Sequence, residues 1–167
     1  MYCKGDYVVY GTRGVCQIGE ITTLDLDNIP KDRVYYVLYP RNNGGKIYVP
    51  VDNADSRMRS IITKDEALEL INQMPGIEPI SVTNEKLLEE MYKKCMRHYD
   101  CTEWVRLIKC IYNRKQMRLS DGKKATAIDE KYMNMAEESL YGEIGIALDI
   151  PKEDVLEYIL KEIDKSS

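Results

Sequence analysis

At 167 residues, 44% hydrophobic and 31% charged, the chain fits one ordinary domain or two small ones and is too apolar to be disordered. No apolar run approaches the ~18 residues that cross a bilayer, and the N-terminus lacks a signal-peptide layout, so a cytosolic, soluble protein is expected. The formal net charge of −4 hides an asymmetry: residues 1–62 carry eight Lys/Arg and seven Asp/Glu, whereas residues 92–124 carry ten Lys/Arg against three Asp/Glu.

The chain opens with two β-patterned runs, Tyr7-Val8-Val9-Tyr10 and Val15 to Ile21, around the break Gly11-Thr12-Arg13-Gly14. Strands are predicted at about 6–10, 15–23, 33–39 and 45–49, with a short one near 51–54. Pro40 ends the third strand, and Asn42-Asn43-Gly44-Gly45 is a strong turn signal before the fourth. Residues 24–32 are polar, contain Pro30 and read as a loop. Strands this short and closely spaced imply a small, strongly bent antiparallel sheet, closed or nearly so to protect its edges.

Past residue 60 the period becomes helical. Thr63-Lys64-Asp65-Glu66 matches a capping box before an apolar stripe of Ala67, Leu68, Leu70, Ile71 and Met74, which Pro75-Gly76 stops. A second helix is expected at about 84–98. A third follows a possible capping box, Asp100 to Glu103, and presents Trp104, Leu107, Ile108, Ile111 and Tyr112 as one face. Leu119-Ser120-Asp121-Gly122 breaks it, and helices at about 125–148 and from Pro151 to about 163 complete the chain. The fold class expected is α+β: an antiparallel β module over 1–58, then an all-α domain of about five helices over 59–167.

Catalytic chemistry has no visible carrier. There is no phosphate-binding loop, dinucleotide fingerprint, H-E-x-x-H or G-x-S-x-G. The five cysteines, Cys3, Cys16, Cys95, Cys101 and Cys110, form no C-x-x-C pair and suit small core positions in a reducing compartment. His98 is the sole histidine, and its spacing from Cys95 and Cys101 fits no zinc template. We therefore expect no metal, no cofactor and no enzyme activity.

Two surfaces remain. Lys93, Lys94, Arg97, Arg106, Lys109, Arg114, Lys115, Arg118, Lys123 and Lys124 form a basic block suited to phosphate, or else a solvated helix surface; the scarcity of neighbouring acids favours DNA. Trp104 is a candidate wedge between bases, but its helical spacing with Leu107 and Ile111 marks it as core. In the β module, Tyr2, Tyr7, Tyr10, Tyr35, Tyr36, Tyr39 and Tyr48 suit either a protein interface or a small core with hydroxyls at its rim.

The stretches KGDYVVYGTRGVCQIGEI, YYVLYP, KIYVPVDNA and SRMRSII resemble the N-terminal module of the CarD/CdnL/TRCF family of bacterial RNA-polymerase-binding proteins. LIKCIYNRK, RLSDGKK and GEIGIALDI follow the family's helical domain more loosely. The resemblance implies a bacterial, stand-alone regulator whose Tudor-like β module docks on the RNA polymerase β subunit. Its helical domain would then contact promoter DNA without sequence specificity and modulate open-complex stability. Family polymerase contacts match Thr23, Leu24, Ile47 and Tyr48, with Leu24 and Tyr48 standing where the family has basic residues. The DNA contact is expected from Lys93, Lys94, Arg97, Arg106, Lys109, Arg114, Lys115, Lys123 and Lys124. Lys124 matches the lysine of the family's Leu-Ser-x-Gly-x-Lys turn, whereas residues 83–88 lack the tryptophan that family members commonly carry there. The alternative is a protein–protein adaptor whose basic helices are only solvated.

Overall fold

The computed structural model describes residues 1–41 and 44–166, with Thr12 and Ser166 described by backbone alone. The Asn42-Asn43 part of the predicted turn lies outside these residues. The chain divides into two compact units, Met1–Ile61 and Ile62–Ser167, and is α+β.

The first unit holds strands β1 (Tyr7–Tyr10), β2 (Val15–Thr23), β3 (Val34–Pro40), β4 (Ile47–Pro50) and β5 (Met58–Ser60). All pair antiparallel in the order β4-β3-β2-β1-β5, so β4 and β5 are the outer strands. The strand predicted near 51–54 is instead a 3-10 segment, Val51–Ser56, which joins β4 to β5 and packs against both. The fifth strand follows it, extending the first unit past the boundary expected at residue 58. Side chains alternate across the pleat, and Val8, Cys16, Ile18, Tyr36, Leu38 and Val49 from four strands meet Ala54 and Met58 in one core. Tyr2 lies edge-on to Tyr36 (centroids 5.8 Å apart) and seals that core's margin. The register slips between Ile18 and Glu20, placing a bulge at Gly19 in the middle of β2.

The second unit holds α1 (Lys64–Gln73), α2 (Leu88–Arg97), α3 (Cys101–Ser120), α4 (Ala127–Leu148) and α5 (Lys152–Ser166). The predicted capping box is present: Thr63 Oγ1 accepts from the Glu66 amide (3.1 Å) and Glu66 Oε1 accepts from the Thr63 amide (3.0 Å). At α3, Asp100 accepts from the Thr102 amide (2.8 Å), while Glu103 pairs with Arg106 (3.0 Å). Gly122 at φ 74° ends α3 and returns the Lys123 amide to the Arg118 carbonyl (2.8 Å). Trp104 is 1% exposed, at the centre of the helical core with Leu107 and Ile111. Tyr112 is a correction: it is 55% exposed. At 100° per residue it lies roughly 80° around α3 from Trp104, on the flank of the apolar face.

Two buried carboxylates organise this unit. Asp129 on α4 accepts from the Tyr92 hydroxyl of α2 (2.7 Å) and from Arg114 Nε of α3 (3.2 Å), tying three helices together. Glu143, almost four turns further along α4, accepts from the Ile62 amide (2.8 Å) and the Cys101 thiol (3.2 Å). Both are fully buried, and each has donors that offset the cost of burial.

Candidate protein and nucleic-acid interfaces

The residues expected to meet polymerase occupy two places on the first sheet. Ile47 and Tyr48 lie on the outer strand β4, opposite Leu38 and Val37 of β3. Because neighbours in a strand face opposite ways, Ile47 packs against the core while Tyr48 points out, 43% exposed. Thr23 ends β2 opposite Val34, and Leu24, half-buried, follows it. Thr23 is therefore three residues along β3 from the level of Tyr48 and shares the pleat face of Val34.

Two neighbours of Thr23 had no signal in the sequence. Ile21, two residues before it on the same face, is 46% exposed, and Val34, its cross-strand partner, is 40% exposed. Both lie on the pleat face of Tyr36, toward the end of the β2–β3 ladder, and stay in solvent there. The opposite face is aromatic and polar. Tyr7, Gln17 and Tyr39 form one cross-strand row, and Glu20, Val37 and Tyr48 the next. Arg41 sits over the Tyr7 ring (5.6 Å) and Lys46 over the Tyr39 ring (5.8 Å). The Tyr39 hydroxyl donates to Glu20 (2.8 Å), and that hydrogen bond pushes the phenol's pKa up. Tyr35 and Tyr36 are buried, so the tyrosines serve both core and surface.

Residues 2–62 match the family model of the CarD-like/TRCF RID domain. The first unit is a CarD-like/TRCF RID domain. It is Tudor-like in architecture, and it gives the chain a transcription-related role in which RNA polymerase is the partner. No curated protein matches the chain.

Outside the RID domain, the basic block separates by what each cation already touches. Arg106 donates to Glu103 and to the Glu78 carbonyl (3.1 Å). Lys109 donates to the carbonyls of Met74 and Ile77 at the end of α1. Arg114 holds Asp129 and also Glu85 (2.7 Å). Burial works against its charge, but the Glu85 hydrogen bond and the Asp129 carboxylate outweigh it and raise its pKa. These three guanidinium and ammonium groups are built into the unit, a use that spacing along the chain does not reveal.

The others lie outward. Lys94, Arg97, Lys123 and Lys124 are exposed, and Lys93 makes only an open i,i+3 pair with Glu90 (3.6 Å). Lys115 is half-buried; Arg118 spends its Nε on the Lys124 carbonyl (2.7 Å) and leaves the Lys124 ammonium outward. A 20-residue α3 is about 30 Å long at 1.5 Å per residue. Contact between Glu85 and Arg114 sets α2 antiparallel to it. Lys93, Lys94 and Arg97 therefore sit toward one end of α3, and Lys115, Lys123 and Lys124 toward the other. Among the described residues no helix is long and apolar enough to cross a membrane.

Proposed function

We propose that the RID domain docks on the β subunit of RNA polymerase through the β4 edge and the end of β2, and that the helical unit contacts promoter DNA to modulate open-complex stability. The match of residues 2–62 to the RID family carries this reading. In support, Tyr48 is exposed on a strand whose other face is fixed by the core, so that part of the surface is preorganised, while Thr23 is exposed on the opposite pleat face at the end of β2. The outward cations Lys93, Lys94, Arg97, Lys115, Lys123 and Lys124 are the groups available to phosphates; Arg106, Lys109 and Arg114 contribute by holding the helices that carry them. Docking raises the effective concentration of a weak, salt-sensitive DNA contact, so neither surface needs high affinity alone.

The internal use of Arg106, Lys109 and Arg114 also favours the adaptor reading, because it thins the free basic surface. Salt separates the two. Affinity of the full chain for duplex DNA, measured against salt concentration, should fall on a log–log line, and replacing Lys123 and Lys124 by alanine should flatten the slope by up to about two, near 0.9 per phosphate contact. Tyr48→Ala should weaken binding to the isolated β-subunit lobe and leave that slope unchanged. Salt-independent or absent DNA binding, with lobe binding intact, would establish the adaptor instead.

A further inference from the structure

In the helical unit, α3 and α5 each pack on α4, and a half-open apolar groove of about 310 Å³ lies between them. Both walls are spaced as helix faces: Val105 and Ile108 on α3, and Leu156, Ile159, Leu160 and Ile163 on α5, at i, i+3, i+4 and i+7. Ile159 is 4% exposed, but Leu156 and Leu160 are 47% and 55% exposed, so the apolar stripe of α5 is wider than its packing covers. Lys109 brings no free charge to the groove, because its ammonium donates to the Met74 and Ile77 carbonyls. At about 30 Å³ per water-sized group, the space holds about ten non-hydrogen atoms, roughly two leucine side chains.

The rim beside these leucines is acidic. At 100° per residue, Glu153, Asp164 and Glu157 fall roughly 60–100° around α5 from Leu156, on the side toward Leu160 and away from buried Val155 and Ile159. All three acids are exposed. The lysines of α5 already have carboxylate partners: Lys152 pairs with Glu138 (2.6 Å), Lys161 with Glu157 (3.0 Å) and Lys165 with Glu162 (3.2 Å). Five acids against three lysines therefore leave this helix with a net negative charge next to its uncovered leucines.

We propose that this groove docks a basic amphipathic helix of a protein partner, its apolar side chains in the cavity and its Lys/Arg face along Glu153, Glu157 and Asp164. Walls ridged at helical spacing are complementary to another helix, whose anchors at i, i+3 or i+4, and i+7 would fill the space left over Leu156 and Leu160. The apolar cavity supplies the affinity, and the acidic rim selects a cationic flank over an anionic one. This assignment goes beyond the polymerase and DNA contacts and is independent of them.

The test titrates the full chain by calorimetry with a leucine–lysine peptide of about 18 residues, roughly 27 Å as a helix, with leucines at i, i+3, i+4 and i+7. Its counterpart carries glutamate at every lysine. The leucine–lysine peptide should bind saturably at one per chain with a negative heat-capacity change, and the leucine–glutamate peptide at least tenfold more weakly. Leu160→Ser, at an exposed position, should weaken the first peptide at least tenfold. Glu153→Lys with Glu157→Lys should make the leucine–glutamate peptide the tighter binder, and this surface variant decides the question if the serine variant loses helical circular dichroism. Equal binding of the two peptides overturns the proposal, as does absent saturable binding. Leucine–lysine affinity unmoved by a folded Leu160→Ser chain reduces the contact to charge attraction and overturns it too. Sedimentation showing a dimer that Leu160→Ser dissociates would assign the groove to a second copy instead.

Discussion

The ring of Tyr39 lies across the backbone of Gly19: a Cβ at residue 19 would stand 2.1 Å from it. The bulge in β2 and the ring in β3 thus occupy one another's space, and the ring's hydroxyl reaches Glu20 because nothing projects from residue 19.

Gly19→Ala should therefore destabilise the RID domain by about 1–3 kcal/mol, the usual cost of forcing an extra carbon into a filled site. In a Tyr39→Ser background the same substitution should cost much less. Urea unfolding of the four chains of this double-mutant cycle measures the coupling. Equal costs in both backgrounds would mean that the ring is not what excludes the side chain.

Arg114→Ala leaves the fully buried Asp129 carboxylate with the Tyr92 hydroxyl as its one hydrogen-bond donor among the described residues. A loss of about 3–5 kcal/mol is expected, whereas Tyr92→Phe should cost about 1–2 kcal/mol. Thermal unfolding followed by helical circular dichroism gives both numbers. An Arg114→Ala protein of undiminished stability would move this arginine back among the groups free for DNA.

Of the five cysteines, Cys3 is exposed and the other four are buried. Burial pushes the Cys16 and Cys95 thiols up to about 11, Arg13 opposing it at Cys16 and Glu103 adding to it at Cys95. Since the thiolate is the reactive form, native protein at pH 8 should release one equivalent rapidly with a disulfide reagent, and five in denaturant. Two or more fast equivalents in the native protein would contradict the burial of these sites.

Glu137 on α4 is pushed above its ordinary 4.5 chiefly by burial, with Lys115 opposing and Glu138 adding. Folded protein therefore holds this proton more tightly than unfolded chain. Its contribution is most favourable below pH 4.5 and is lost as pH rises through the higher folded value. Glu137→Gln should raise the melting temperature at pH 7 and flatten its decline across that interval. A lower melting temperature at pH 7 would show that the ion attraction of Lys115 outweighs desolvation.

What the sequence discloses depends on how local the cause is. The Thr63–Glu66 box, the Gly122 stop and the burial of Trp104 are written within one or two helical turns, and each is found in place. β5 was illegible because Met58-Arg59-Ser60 is too short to alternate and is held by its pairing with β1, about fifty residues earlier. The roles of Arg114 and Lys109 were hidden for the same reason: Asp129 belongs to another helix, and the carbonyls of Met74 and Ile77 lie more than thirty residues away. Charge composition marks a cation as available; only tertiary packing decides whether it is already engaged.

Consecutive amides at the junction belong to different networks. The Ile61 amide donates to the Tyr7 carbonyl of β1 (3.5 Å), and the next, that of Ile62, donates to Glu143 of α4. The peptide between residues 61 and 62 is where sheet pairing ends and the helical unit's pairing begins, and each unit ties down its own end of the chain with its own hydrogen bond.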